Sequence, residues 1–203
     1  MPVRSSALAI VLGTALAGPA AMAQEPVPAK PDADMQRVLD KLVELGAQPI
    51  HALQAKVARS QPTPADAVAA IVADDGIPPG PEAQVQTRDI TYAAANGEQP
   101  ARIYTPPGNA PFPVIGYFHG GGWVLADIDT YDGSARALAA ATQAIVVSFE
   151  YRHAPENKFP AAHEDALAAW QWLAANAAGI GGNPALLAVA GESAGANLAI
   201  NVA

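Results

Sequence analysis

Gly191-Glu192-Ser193-Ala194-Gly195 sets a serine among small residues, directly after the apolar run Leu186–Ala190 and directly before an apolar stretch that opens at Ala194. A serine at a sharp strand-to-helix turn is pushed outward on a strained backbone, where its hydroxyl can attack an acyl carbon. Glycines are needed on both sides because a Cβ there would strike the neighbouring strand or helix. The helix N-terminus favours developing negative charge. An ordinary glycine-rich turn has the same spelling; the strand before and the helix after argue for a nucleophile. His119-Gly120-Gly121-Gly122-Trp123 follows a second apolar run, Val114–His119. Consecutive glycines let backbone N–H groups point into a cavity, as the oxyanion of a tetrahedral intermediate requires. A flexible loop has this composition too, whereas a phosphate-binding loop would end in Gly-Lys-Ser/Thr, which is absent. The two motifs in this order are more specific than either alone.

The elements that must position them are set by periodicity. Met35, Val38, Leu39, Leu42 and Val43 recur at helical spacing up to Gly46. Thr63-Pro64 reads as the cap and first position of a second helix through Val72, with Gly76 beyond it. Between them lies a mobile-looking stretch containing His51 and Lys56. Ile77-Pro78-Pro79-Gly80-Pro81 is a rigid break and a predicted boundary. Beyond it, Val85–Tyr92 and Ala101–Thr105 read as strands joined through Asn96-Gly97, a hairpin signal. Strands are predicted at Val114–His119, Ala144–Phe149 and Leu186–Ala190. Helices are predicted at Tyr131–Thr142, at Pro160–Ala177 and from Ala194 onward. A hairpin followed by strand–helix alternation implies an α/β domain with a mainly parallel sheet covered by helices.

Composition narrows the chemistry. The chain has 203 residues, 51% of them hydrophobic and 15% charged, so a packed core can form and wholesale disorder is not expected. A net charge of −8 offers no basic surface for nucleic acid. The absence of cysteine excludes disulfides, thiolate metal sites and cysteine nucleophiles. Arg4, the apolar run Ala7–Gly18 and Ala21-Met22-Ala23 form the pattern of a secretory signal with cleavage after Ala23. The run is shorter than the ~20 residues of a membrane span, so no stable membrane anchor is expected. This gives a signal peptide over 1–23, a proline-rich linker over 24–34, a helical segment over 35–80 and an α/β domain over 81–203, in a periplasmic or secreted protein.

HGGGW at 119–123, YRHAPE at 151–156, FPAAHEDA at 159–166 and GESAGANLA at 191–199 resemble, in that order, the hormone-sensitive-lipase-like family of α/β-hydrolase esterases. The resemblance covers about Val85 to Ala203. It implies Ser193 as nucleophile and an oxyanion hole from the N–H groups of Gly120, Gly121 and Ala194. It also implies that the helical segment caps an acyl pocket. Glu192 stands where Asp is more usual, and Ala196 where Gly is. Short acyl chains are the expected substrates, from the resemblance and from the small apolar residues of the cap. No metal or organic cofactor is implied, and the partner is a small-molecule ester. Hydrolases of this fold order their triad Ser, acid, His. Ala194–Ala203 contains no Asp, Glu or His, so the C-terminal third of the fold, roughly a hundred residues, is expected to be missing. An amide or peptide hydrolase, or a catalytically inactive fragment or binding module, are the competing functions.

The remaining candidates read as structural. The family uses the counterpart of His119 to hold the glycine loop. His153 and His163 are expected to be loop or helix residues, and His51 a cap residue. Arg152 and Glu156 are expected to pin the loop after the fourth strand. Asp127, Asp129 and Asp132 have the wrong spacing for a calcium loop, and helix capping is expected of them. Trp170 is expected in the core, and Trp123 at the pocket or cap interface.

Overall fold

The computed structural model describes residues 30–203. The predicted signal sequence and most of the predicted linker lie outside the described residues. The first helix, α1, spans Ala33–Glu44, with the Asp32 side chain accepting from the Met35 N–H. The stretch expected to be mobile instead forms a 3₁₀ turn over Ile50–Ala52 and a short helix, α2, over Ala55–Ala58. The third helix, α3, spans Pro64–Asp75. It starts at the predicted Thr63-Pro64, with a reciprocal Thr63–Asp66 capping box, and ends at Gly76 in the left-handed conformation.

Five strands come next: β1 (Gln86–Ala94), β2 (Gly97–Thr105), β3 (Phe112–Phe118), β4 (Ile145–Phe149) and β5 (Gly182–Gly191). Three helices alternate with the later strands: α4 (Asp132–Thr142), α5 (Ala161–Asn176) and α6 (Ala194–Val202). The sheet order is β1-β2-β4-β3-β5. The sheet is mixed. β3 is parallel to β4 and β5, while the hairpin is antiparallel within itself and joins β4 antiparallel through β2. The parallel character expected of the sheet is therefore confined to β4, β3 and β5. β5 also starts earlier than its apolar run, because Gly182 pairs with Phe112 ahead of an irregularity in β3.

Every residue of β4 is buried, as a central strand covered on both faces must be. Alternation sends Ile145, Val147 and Phe149 to one side, with Phe118, Leu173 and Leu198. Val146 faces the other side, with Tyr104, Tyr117, Ala135 and Ala139. So α5 and α6 cover one face and α4 the other. Their contact faces are rich in alanine (Ala162, Ala166 and Ala169 on α5, Ala135 and Ala139 on α4), which lets each helix lie close to the sheet. Trp170 packs at the margin of the larger cluster, only partly buried.

Helix capping does not account for the aspartate cluster: the N-cap of α4 is Tyr131, with no side-chain cap. Asp127 accepts from the Thr130 N–H and hydroxyl, closing the turn before α4. Asp132 caps nothing: it accepts from Tyr104, Arg102 and Arg136, and Asp129 pairs with Arg102. The reason lies in β2, whose Arg102 emerges beside the start of α4 and draws in Asp89, Asp129 and Asp132 together.

Candidate active site

The parallel register of β3 and β5 pairs Phe118 with Gly191. Both strands thus end at the same level, and the segments that leave them, His119-Gly120-Gly121 and Glu192-Ser193-Ala194, emerge side by side. The Glu192 N–H donates to the Phe118 carbonyl at 3.3 Å. Ser193 has φ +52° and ψ −116°, a conformation costly for a residue with a Cβ and held here by the strand–turn–helix around it. A Cβ on Gly195 would run into the carbonyl oxygens of Phe118 and His119, and one on Gly191 into the Gly195 carbonyl. The first turn of α6 can approach the end of β3 only because both positions are glycine. Ser193 is exposed at the tip of this turn, while Ala194 and Gly195 behind it are buried.

The glycine loop is shaped from beneath. Gly121 has φ +113°, and a Cβ there would collide with the Leu125 carbonyl. Its own carbonyl accepts from the Leu125 and Val124 N–H groups at 2.8 and 3.1 Å. Among the described residues, the N–H groups of Gly121 and Ala194 donate to no other group. The Tyr131 hydroxyl stands against Gly120. Burial, then the Glu192 charge, raises the Tyr131 phenol above its ordinary value, and the Gly120 N–H works the other way.

His119 is fully buried and holds the loop, as the resemblance implies. Its Nδ1 lies 2.7 Å from the Gly120 carbonyl and its Nε2 lies 3.0 Å from Glu150 Oε1, with the ring stacked on Tyr151 at 4.5 Å. His153 is a loop residue, as expected, with its Nε2 3.3 Å from the same Glu150 oxygen. Burial lowers its pKa, the nearby Glu150 charge opposing the shift. His163 stands on α5 with Nε2 3.0 Å from Asn197 Oδ1, and His51 is exposed. None of these histidines hydrogen-bonds Ser193 among the described residues. Arg152 grips the fully buried Asp165 at 2.8 and 2.9 Å, pinning the loop after β4 to α5. Trp123 stacks over His163 and lines a small cavity of about 250 Å³ with Ala154, Phe159 and Ala162.

A larger cavity of about 940 Å³ opens between the helical segment and the loops. Val68, Ala69 and Val72 of α3 line one side, and Leu125, Tyr131 and His153 line the other. Ser193 is not in its wall; Leu125, Tyr131 and Tyr151 line the cavity and also touch the glycine loop. Arg59 crosses the gap. It donates to the carbonyls of Val124 and Ala154, each at 2.6 Å, and pairs with Glu156 at 2.8 Å. That pairing holds the Glu156 carboxyl down at about 2. Sequence reasoning missed Arg59, Glu150 and Tyr131. Only Glu150 carried a signal: a carboxylate at the C-terminal end of a buried parallel strand, the side on which such sheets build their sites.

Residues 115–203 match the family model described as alpha/beta hydrolase fold. The carboxylesterase NlhH of Mycobacterium tuberculosis is 47% identical over 119 residues, covering 58% of this chain and 37% of that protein. An ethyl acetate hydrolase of Pseudomonas putida is 36% identical over 168 residues, covering 78% of this chain and 50% of that one. Among solved structures, the hyperthermophilic esterase of the archaeon Pyrobaculum calidifontis superposes with a TM-score of 0.65 at 36% identity, over 81% of this chain and 50% of its own. The chain thus spans between about a third and a half of the length of these relatives. Fold, motif order and likeness agree: the chain has the alpha/beta hydrolase fold and, over about 58% of its length, is similar to esterases of the hormone-sensitive-lipase-like family.

Proposed function

We propose that the protein hydrolyses carboxylic esters through Ser193. The observation that carries this reading is the Phe118–Gly191 register, which sets a strained, exposed serine beside a glycine loop with free N–H donors. In this reading the Ser193 hydroxyl attacks the acyl carbon, and the N–H groups of Gly120, Gly121 and Ala194 hold the oxyanion. Water then releases the acid from the acyl-enzyme. The base that takes the serine proton is not His119, His153 or His163, whose nitrogens face Glu150, Gly120 and Asn197. No metal or organic cofactor enters this reaction.

The helical segment over 35–80 acts as a cap, and its small and medium apolar side chains, with the family resemblance, support short acyl groups as substrates. In the full-length gene product, p-nitrophenyl butyrate should turn over faster than the palmitate; the reverse order sinks the short-chain assignment. Ser193→Ala should lower kcat by on the order of 10⁶ and abolish labelling by a fluorophosphonate. Undiminished labelling would remove Ser193 from the reaction. The leader supports export to the periplasm or medium. Mass spectrometry of exported protein should find Gln24 at the N-terminus, and an intact Met1 species confined to the cytosol would count against it. Among the described residues no helix is long and apolar enough to cross a membrane.

A further inference from the structure

Beneath the glycine loop, three donor atoms converge: His119 Nε2, Glu150 Oε1 and His153 Nε2. The Glu150 oxygen lies 3.0 Å from His119 Nε2 and 3.3 Å from His153 Nε2. Two metal–ligand bonds of ~2.0–2.1 Å at a tetrahedral angle subtend a donor–donor edge of about 3.3 Å, so both spacings suit a common ion. The Gly120 carbonyl, 2.7 Å from His119 Nδ1, can only accept, so it takes the Nδ1 proton and leaves Nε2, which faces Glu150, as the nitrogen that can bind an ion in exchange for its own proton. This is the outer support that metal-ligating histidines commonly show, the remote N–H given to a backbone carbonyl. Glu150 is supported in turn by the N–H groups of Ile128 and Tyr151, each at 3.3 Å. His153 Nε2 is buried and has no hydrogen-bond partner, which leaves one ring nitrogen beside the cluster unsatisfied by the protein alone. Glu150 and His153 both line the large cavity, so a fourth position is open to solvent or a small ligand.

We propose that His119, Glu150 and His153 form a binding site for a divalent transition-metal ion, zinc above all, at the root of the glycine loop. Two imidazoles and one carboxylate are a donor set suited to zinc and disfavour magnesium or calcium, which take oxygen ligands. With water in the fourth position, the ion ties the end of β3 to the loop after β4 and stiffens the backbone that carries Gly120 and Gly121. It takes no part in acyl transfer, and the site stands whether or not Ser193 is the nucleophile.

The test is zinc titration by calorimetry of the EDTA-treated full chain, with cobalt absorption as a second readout of tetrahedral nitrogen and oxygen ligation. The expected result is saturable one-to-one binding, a tetrahedral cobalt spectrum and a raised Tm with zinc. His153→Leu and Glu150→Gln should each weaken binding by more than the ~10–100-fold that loss of an outer supporting partner causes, and should remove the zinc-dependent rise in Tm. His163→Asn should bind as the parent does. Circular dichroism shows whether each variant is folded; because His153 is a half-buried loop residue, His153→Leu keeps the test open if Glu150→Gln does not fold. Absence of saturable binding, or binding equal to the parent's in a folded His153→Leu, overturns the proposal.

Discussion

The sheet and the helical segment are built on opposite principles. In the sheet and the helix packed on it, Phe118, Ile145, Val146, Val147, Phe149 and Leu173 are wholly withdrawn from water, and strand register fixes where each motif emerges. In residues 33–76 only Ala58 and Ala67 are buried, while Met35, Leu39, Val43, Val68 and Val72 all remain exposed. That segment is held instead by charge: Arg37 to Asp75, Lys41 to Asp74 and Glu44, and Arg59 to the loops of the domain. The result is two stabilities within one chain. Apolar burial at ~25 cal/mol per Å² gives the sheet its cooperativity, whereas exposed ion pairs contribute ~0–1 kcal/mol each. The contrast predicts that the segment opens over the cavity while the domain beneath stays folded.

The sharpest way to break this contrast is a cavity in the core. Leu173→Ala should lower global stability by about 2–5 kcal/mol, read from denaturant midpoints; a loss below ~1 kcal/mol would mean that the sheet is as loosely packed as the helical segment. At the seam, Gly121→Val should reduce kcat of the full-length protein by ~10²–10³, as loss of an oxyanion donor does. It forces a Cβ toward the Leu125 carbonyl at a positive φ. In the segment, Arg59→Ala should accelerate amide exchange across 55–75 and leave exchange in β3 and β4 unchanged; parallel acceleration in both would show a single cooperative unit. The Arg59–Glu156 pair also has a pH signature. Glu156 titrates lower when folded than when unfolded, so the pair stabilises above the ordinary value of 4.5 and is lost as pH falls through about 2. The carboxyl chemical shift should titrate near 2 and move toward the ordinary range in Arg59→Ala. The smallest effect belongs to Val43→Ser, within about 0.5 kcal/mol, since Val43 is 74% exposed.

The same contrast explains how much could be read from the sequence. Strands and helices of the domain carried apolar periodicity, and Ser193 with its glycines carried local turn chemistry, so their elements and adjacency could be derived from residue types. The two glycine motifs meet because two apolar runs are parallel neighbours, which βαβ alternation implies. What escaped was long-range polarity. Arg59 finds partners 65 and 95 positions away along the chain, and no local pattern encodes that reach. Arg102 likewise drew Asp132 out of its expected capping role. The antiparallel joint of β2 to β4 escaped because alternation of elements does not reveal which strand the hairpin will meet.

Arg59 has a consequence for which positions of this chain can vary. Two of its three anchors are main-chain carbonyls, at Val124 and Ala154. A carbonyl is presented whatever side chain the residue carries, so positions 124 and 154 can drift without loosening the grip, and only Arg59 and Glu156 bear its constraint. A foreign helical segment grafted ahead of residue 81 would keep this anchorage if it brought an arginine to the place of Arg59.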